Sequence, residues 1–304
     1  MIGLDRVPLT LFYCDHHAFP LPEGHKFPVS KYRLLREQLT SDPRFRLCPS
    51  TPASLEDIVR IHDREYANGF LSGTLDPKAM RRIGFPWSPG LVMRTLASAG
   101  GTLLATQTAL TRGFSGTLAG GTHHAFRGEG SGFCVFNDIA IAIAWAKAHS
   151  ALQRFAVVDL DVHQGDGTAS IFSDDPSVFT LSVHAARNFP FRKQRSVLDV
   201  ELPDGTTDES YLQALEGALA EVWNFRPDLV MFQAGVDGLA TDGLGRLALT
   251  KNGLACRDRT VLEQTHARGI PLVATIGGGY SNPIEETVAA HAQTFRTAAG
   301  IYCP

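Results

Sequence analysis

The sequence predicts a doubly wound α/β fold, with helices packed on both faces of a central, mainly parallel sheet. Two observations lead there. Short runs rich in Val, Ile, Leu and Phe recur at 9–13, 155–160, 178–183, 229–233 and 272–276, each bounded by polar or turn residues. They are continuously apolar rather than alternating, as strands buried on both faces are. Between them lie stretches with helical spacing, at 89–111, 137–149, 209–223, 250–267 and 282–298. Asn137 and Asp138 stand where they can cap the second of these helices, and Asn282-Pro283 reads as an N-cap followed by a first-turn proline. Segment 69–89, with Gly73, Pro77, Gly84, Pro86 and Pro89, reads as a long surface loop. No linker, repeat or low-complexity stretch interrupts the chain, so residues 1–304 are read as one domain.

Composition narrows the class. At 44% hydrophobic and 19% charged residues, the chain can bury a large core. The net charge of -3 and the lack of a dense Lys/Arg run argue against nucleic acid as a main partner. The five cysteines are odd in number and form no CxxC pair, which excludes a cysteine zinc site or a disulfide framework. The opening MIGLDRVPLTLFY has no basic stretch followed by a long apolar one, so no signal peptide is expected. No apolar run is long enough to span a bilayer, and a cytoplasmic location is the default expectation.

In α/β folds, ligands bind where loops leave the carboxyl ends of the strands. The run AVVDLDVHQGDG at 156–167 ends a hydrophobic strand in Asp159, Asp161 and His163. Residues two apart in an extended chain point the same way. Two buried carboxylates so placed repel and lose hydration, a cost that a divalent cation removes directly. Alone, a DxD also suits loop caps or backbone amides; the histidine in phase and the following Gly-Asp-Gly favour the metal. A second strand, LVMFQAGVD at 229–237, delivers Asp237 to the same rim. Asp161, His163 and Asp237 make three protein ligands with a fourth position open, the layout of a catalytic zinc site. Iron(II) also fits this donor set. Asp242 reads as a loop-holding group.

Proton-handling groups stand nearby. His123 and His124 follow a glycine turn in AGGTHHAF at 119–126, and Asp159 and Asp166 are available to fix their tautomers. By itself an adjacent histidine pair reads as ligands or structural donors; only the metal strand beside it favours proton handling. The third element, ATIGGGYS at 274–281, ends a strand in Gly277, Gly278, Gly279 and Tyr280. The glycines permit close backbone approach, and a tyrosine hydroxyl there can donate to a developing oxyanion. A phosphate-binding glycine loop is the other reading, but the GxGxxG and GK[ST] patterns are missing.

Together these residues resemble the histone deacetylase family of the arginase–deacetylase fold, a three-layer α/β/α architecture. GGTHHA, GSGFCVFNDIAIA, VVDLDVHQGDGT, TLSVHA, FQAGVDGLATD and TIGGGYS stand in the family's order. Segments 24–33 and 200–211 look like the class IV branch and its bacterial relatives. The resemblance implies zinc at Asp161, His163 and Asp237, an active-site pair His123 and His124 partnered by Asp159 and Asp166, and Tyr280 polarising the scissile carbonyl. It implies an acyl-lysine tunnel with Gly132 and Phe133 on one wall and Phe189 opposite, and substrate contacts at Gly278 and Gly279. It further implies a structural potassium ion at Asp159, Asp161, His163, Ser182 and Val183, and an internal cavity behind the metal containing Arg33.

Two departures stand out. Gly165 and Gly235 occupy positions where the arginases carry acids for a second manganese, so one catalytic ion is expected. Loop 82–89 has no acid equivalent to the one that grips the substrate backbone in many eukaryotic deacetylases. The expected activity is zinc-dependent removal of an acyl group, acetyl or longer, from a lysine of a protein or peptide. The alternatives are hydrolysis of acetylpolyamines or other small N-acyl amines, or a non-catalytic acyl-lysine binder. Oligomeric state is not legible.

Overall fold

The structure, a computed structural model, describes residues 7–303. Residues 1–6 of the opening stretch read above for a signal peptide lie outside them. In chain order the elements are β1 (Leu9–Tyr13), α1 (Ser30–Thr40), β2 (Phe45–Pro49), α2 (Leu55–Ile58), α3 (Arg64–Ser72), α4 (Pro77–Ile83), α5 (Pro89–Arg112) and β3 (Phe114–Thr117). They continue with α6 (Asp138–His149), β4 (Phe155–Asp159), α7 (Asp166–Ile171), β5 (Val178–Ala185) and β6 (Leu198–Leu202). Then come α8 (Asp208–Phe225), β7 (Leu229–Gln233), α9 (Lys251–His266), β8 (Leu272–Thr275) and α10 (Ile284–Tyr302).

Among the described residues, the strands form one eight-stranded sheet, ordered β2-β1-β3-β8-β7-β4-β5-β6, with every pairing parallel. Alternate residues of the central strands face opposite helical layers. Phe155, Val157, Leu229 and Met231 pack with residues of α5 and α6, while Ala156, Val158, Val230 and Phe232 pack with residues of α8, α9 and α10. Both faces are dry, which is why these strands carry no polar alternation. The result is the three-layer α/β/α architecture of the arginase–deacetylase fold.

Three strands escaped the sequence reading. β2 and β6 are sheet edges and only partly buried, so they lack a continuous apolar run. β3, with sequence FSGT, is fully buried but small, because Phe295 and the Ala274 carbonyl press on Gly116.

Segment 69–89 is not the expected loop. It holds the end of α3 and all of α4, and its glycines and prolines mark helix ends. Gly73 and Gly84 are left-handed C-caps, at φ 73° and 91°. Pro77 and Pro89 begin α4 and α5 behind Asp76 and Ser88, whose side chains accept from Lys78 N and Leu91 N. Two further caps differ from expectation. Asn137 alone caps α6, accepting from Ala140 N at 3.0 Å, while Asp138 turns to the loop after β3. Pro283 is itself the extended N-cap of α10, not its first helical residue. No helix among the described residues is long and apolar enough to cross a membrane.

Candidate active site

Four adjacent strands, β3, β8, β7 and β4, point their carboxyl ends at one place, where the sheet switches winding direction. Each supplies part of the site: β3 leads to His123 and His124, β8 to Gly277–Tyr280, β7 to Asp237, and β4 to Asp159, Asp161 and His163. The ladder continues past the strand ends, through Leu160 N to Gln233 O at 3.0 Å, Ala234 N to Thr275 O at 2.9 Å and Val236 N to Gly278 O at 3.0 Å. The loops therefore start from a rigid frame.

Asp159 is the last residue of β4, so Asp161 and His163 lie in the turn beyond it rather than on an extended strand. They still converge with Asp237. Ligand atoms of Asp161, His163 and Asp237 lie within 4.8 Å of one another, and all three residues are buried. His163 Nδ1 sits 3.0 Å from Asp161 Oδ1 and 3.1 Å from Asp237 Oδ2. Burial, and then the neighbouring Asp161 carboxylate, push the Asp237 carboxyl well up from its usual range. That is the strain a dication relieves, so this donor set fits a single divalent metal.

The residual lone pairs are held. Asp161 Oδ2 accepts from Gln233 Nε2 at 3.0 Å and Gly278 N at 2.8 Å, and Asp237 Oδ1 accepts from Val162 N at 2.9 Å. The backbone closes in around the acids. A Cβ on Gly278 would stand 1.9 Å from Asp237 Oδ2, one on Gly235 2.2 Å from Asp161 Oδ2, and one on Gly165 2.3 Å from Asp159 Oδ2. Side chains for a second ion therefore have no room at Gly165 or Gly235. Gly235→Ala is expected to push Asp161 aside at about 1–3 kcal/mol of overpacking. Weakened metal binding, read by titration against a chelator, checks it; wild-type affinity would show that the loop absorbs a methyl group.

The histidines are backed by carboxylates. His123 Nδ1 lies 2.7 Å from Asp159 Oδ2, and His124 Nδ1 lies 2.6 Å from Asp166 Oδ1, with all four residues buried. Their environments differ. Burial disfavours charge on His123, but the Asp159 and Asp161 carboxylates outweigh it and lift its pKa to about 9. For His124, burial and the charge on His123 lower the value to about 4 despite Asp166. The loop carrying both rings is anchored by Asp138, which accepts from Gly121 N at 3.1 Å and Thr122 N at 2.7 Å.

A cavity of about 440 Å3 opens over this floor. Gly132, Phe133 and Phe189 line it, as do Gly277, Gly278 and Tyr280. Phe189 meets His124 edge-on with centroids 4.9 Å apart, and Gly132 lies so close that a Cβ would stand 2.8 Å from the His124 ring. The Tyr280 amide donates to Asp242 Oδ2 at 2.6 Å, while Asp242 Oδ1 accepts from Leu244 N and Gly245 N, so this acid ties two loops together. Burial first, and then the metal-site acids, keep the Tyr280 hydroxyl protonated. The residues expected around potassium sit at the adjoining ends of β4 and β5, where Asp159 pairs in register with Ser182.

Two expectations need correction. Gly279 does not line the cavity; it faces Thr287, Val236 and His291. Arg33 is not in an internal cavity. It is exposed on α1 and pairs with Glu37 at 2.8 Å. Two buried cations near the floor are Lys31 and Arg94. Lys31 Nζ donates to Gly277 O at 3.0 Å and lies 5.3 Å from the centroid of the Tyr280 ring. Burial lowers its pKa to about 8, against the pull of Asp237 and Asp161. Arg94 stacks 4.4 Å over Tyr32, contacts Cys14 and lines the cavity. Helical phase was the available signal for both: Lys31, Leu35 and Leu39 share the buried side of α1, and Arg94 sits among the buried residues Leu91 and Ala97 of α5. Gln233, Asp138 and Asn188 were also missed. Asn188 Nδ2 lies 3.4 Å from His163 Nε2 and donates to Leu244 O at 2.8 Å.

Comparison with known proteins agrees with this geometry. The histone deacetylase domain model matches residues 25–295. An uncharacterized protein of Picosynechococcus sp. is 48% identical over 95% of this chain and 98% of its own. Histone deacetylase 2 of Arabidopsis thaliana is 31% identical over 87% of this chain and 72% of its own. A probable deacetylase of Archaeoglobus fulgidus is 32% identical over 88% and 79%. A match that begins before α1 and ends within α10 takes in every loop that builds the cavity floor, and it makes this chain a member of the histone deacetylase family, a hydrolytic enzyme of the deacetylase type.

Proposed function

We propose that the chain hydrolyses the amide of an N-acyl-lysine, acetyl or longer, to free lysine and a carboxylate, with one zinc ion held by Asp161, His163 and Asp237. The observation that carries this reading is the meeting of that cluster with a carboxylate-backed histidine pair and Tyr280 at one cavity floor. Bound there, the dication supplies Lewis acidity, polarising the acyl oxygen and lowering the pKa of a water. His124, oriented by Asp166, takes the proton of the attacking water and passes it to the leaving amine. His123, paired with Asp159, adds positive potential beside the reacting carbon. Tyr280 donates its hydroxyl hydrogen to the acyl oxygen as that atom gains charge. The alkyl stem of lysine runs between Phe133 and Phe189. The carboxylate product leaves on the inner side, toward the cations Lys31 and Arg94. A potassium ion at Asp159, Asp161, His163, Ser182 and Val183 would hold the adjoining ends of β4 and β5.

Steady-state kinetics on protein loaded with zinc or iron(II) test this reading. The substrates are acyl-lysine peptides of increasing chain length, set against acetylpolyamines. Turnover of acetylpolyamines with none of any acyl-lysine peptide would move the function to small acylated amines. No single turnover of any substrate would make the chain a binder. Tyr280→Phe is expected to keep its metal and lose about 10²–10³ in kcat, the usual cost of one oxyanion donor; full activity would remove the role given to that hydroxyl.

A further inference from the structure

Above the catalytic floor, the mouth of the cavity is cationic although the whole chain carries a net charge of -3. Lys26, Arg187 and Arg246 line it, and among the described residues the carboxylates in its lining are Asp161 and Asp237, both in the metal cluster. Arg187 and Arg246 are exposed, with side chains 78% and 52% accessible. They share one acid, Asp204, which is 3.1 Å from Arg246 and 4.0 Å from Arg187, so a positive excess remains. Arg187 opens the segment RNFPFRKQR, 187–195, which adds exposed Arg192 and Arg195 and contains no acid. Lys193 braces this segment by donating to Asn188 O and Pro190 O at 2.5 and 2.8 Å. The same segment supplies the tunnel wall Phe189 and the exposed Phe191 to the lining, so its charges are carried at the entrance.

We infer that this mouth selects acyl-lysines that lie within acidic peptide segments. The inference rests on the N-acyl-lysine reading and specifies its substrate class. Carboxylates flanking the scissile residue would meet Arg187, Arg246 and Lys26 at the rim. A basic tail, or an acetylpolyamine with its own ammonium groups, would be repelled by the same cations. Such exposed charges act chiefly through encounter and orientation, so they weaken as salt shortens the screening length.

The test uses metal-loaded full-length protein and three matched peptides, with an acetyl-lysine flanked by Glu, Gln or Arg, together with N-acetylspermidine. Free acetyl-lysine blocked at its amine adds an arm in which the carboxylate comes from a single amino acid. The order expected for kcat/KM at low salt is Glu, then Gln, then Arg, with N-acetylspermidine lowest. The Glu-to-Arg ratio is expected to be at least about tenfold, as electrostatic steering allows, and to shrink at high salt. The double variant Lys26→Glu, Arg187→Glu is expected to invert the order. Equal rates for the three peptides, or a preference for Arg flanks at low salt, overturns the inference. Higher activity on the blocked amino acid than on the Glu peptide overturns the peptide assignment. Turnover of the Gln peptide separately reports the N-acyl-lysine reading. Binding of the three peptides to Tyr280→Phe protein ranks the mouth's preference even where turnover fails.

Discussion

Asp237→Asn is expected to abolish stoichiometric zinc binding and to lower kcat/KM by at least about a thousandfold, a loss of roughly 4 kcal/mol at the transition state. The substitution keeps volume, and it keeps an oxygen to accept from Val162 N, now 2.9 Å from Oδ1. What it removes is one of two negative charges that face His163 Nδ1. With the charge gone, the repulsion from Asp161 that helps raise the Asp237 carboxyl in the metal-free protein also disappears. The metal-free variant should therefore be at least as stable as metal-free wild type. Wild type should in turn gain stability on metal addition, in proportion to the logarithm of free metal over Kd, and the variant should not. Melting curves with and without zinc, beside elemental analysis of the purified protein, read this directly. A variant that still carries one zinc per chain would show that Asp161 and His163 hold the ion without Asp237, and the three-ligand site would be abandoned.

Much of that cluster was legible because each ligand lies two to four residues past the end of a largely apolar strand, β4 or β7. In runs such as AVVD and LVMFQ, a carboxylate at or just past the end has few structural uses. Residues carried by helices were harder to read. In SKYRLLR, the arginine drew attention and the lysine two positions earlier did not, yet a 3.6-residue repeat puts Lys31 with Leu35 inside and Arg33 with Glu37 outside. Segment 69–89 misled for a different reason. Glycine and proline punctuate helix ends as well as loops, and here Asp76-Pro77 and Ser88-Pro89 are helix starts. The edge strands β2 and β6 were invisible because one side of each is wet. Least legible was the packing behind the site. Nothing in ACRDR, within α9, distinguishes a buried arginine from the exposed one two residues later.

That buried arginine, Arg257, carries the second large effect. Its side chain is fully buried, and its Nη1 donates to Leu160 O at 3.1 Å and to Gly235 O at 2.5 Å. These carbonyls lie directly before Asp161 and two residues before Asp237. The guanidinium is held by Asp258 Oδ1, 2.8 Å from Nε, and Asp258 Oδ2 accepts from Thr294 Oγ1 at 2.6 Å. One side chain from α9 thus satisfies the backs of both ligand-bearing turns. Arg257→Met leaves Asp258 charged or forced to protonate in a dry core, and two carbonyls lose a donor. Breaking a buried pair in this way costs about 3–5 kcal/mol, read as a lower urea midpoint with an unchanged slope. Replacing both partners, Arg257→Met with Asp258→Leu, removes the stranded charge and should recover a large part of that loss. The metal increment in stability should stay reduced in the double variant, because the carbonyls of Leu160 and Gly235 remain without their donor. Loss below about 1 kcal/mol in the single variant, or a double variant no more stable than the single, would mean that water or a rearranged neighbour takes the place of the guanidinium. A full metal increment in the double variant would mean that the two turns hold their shape without it.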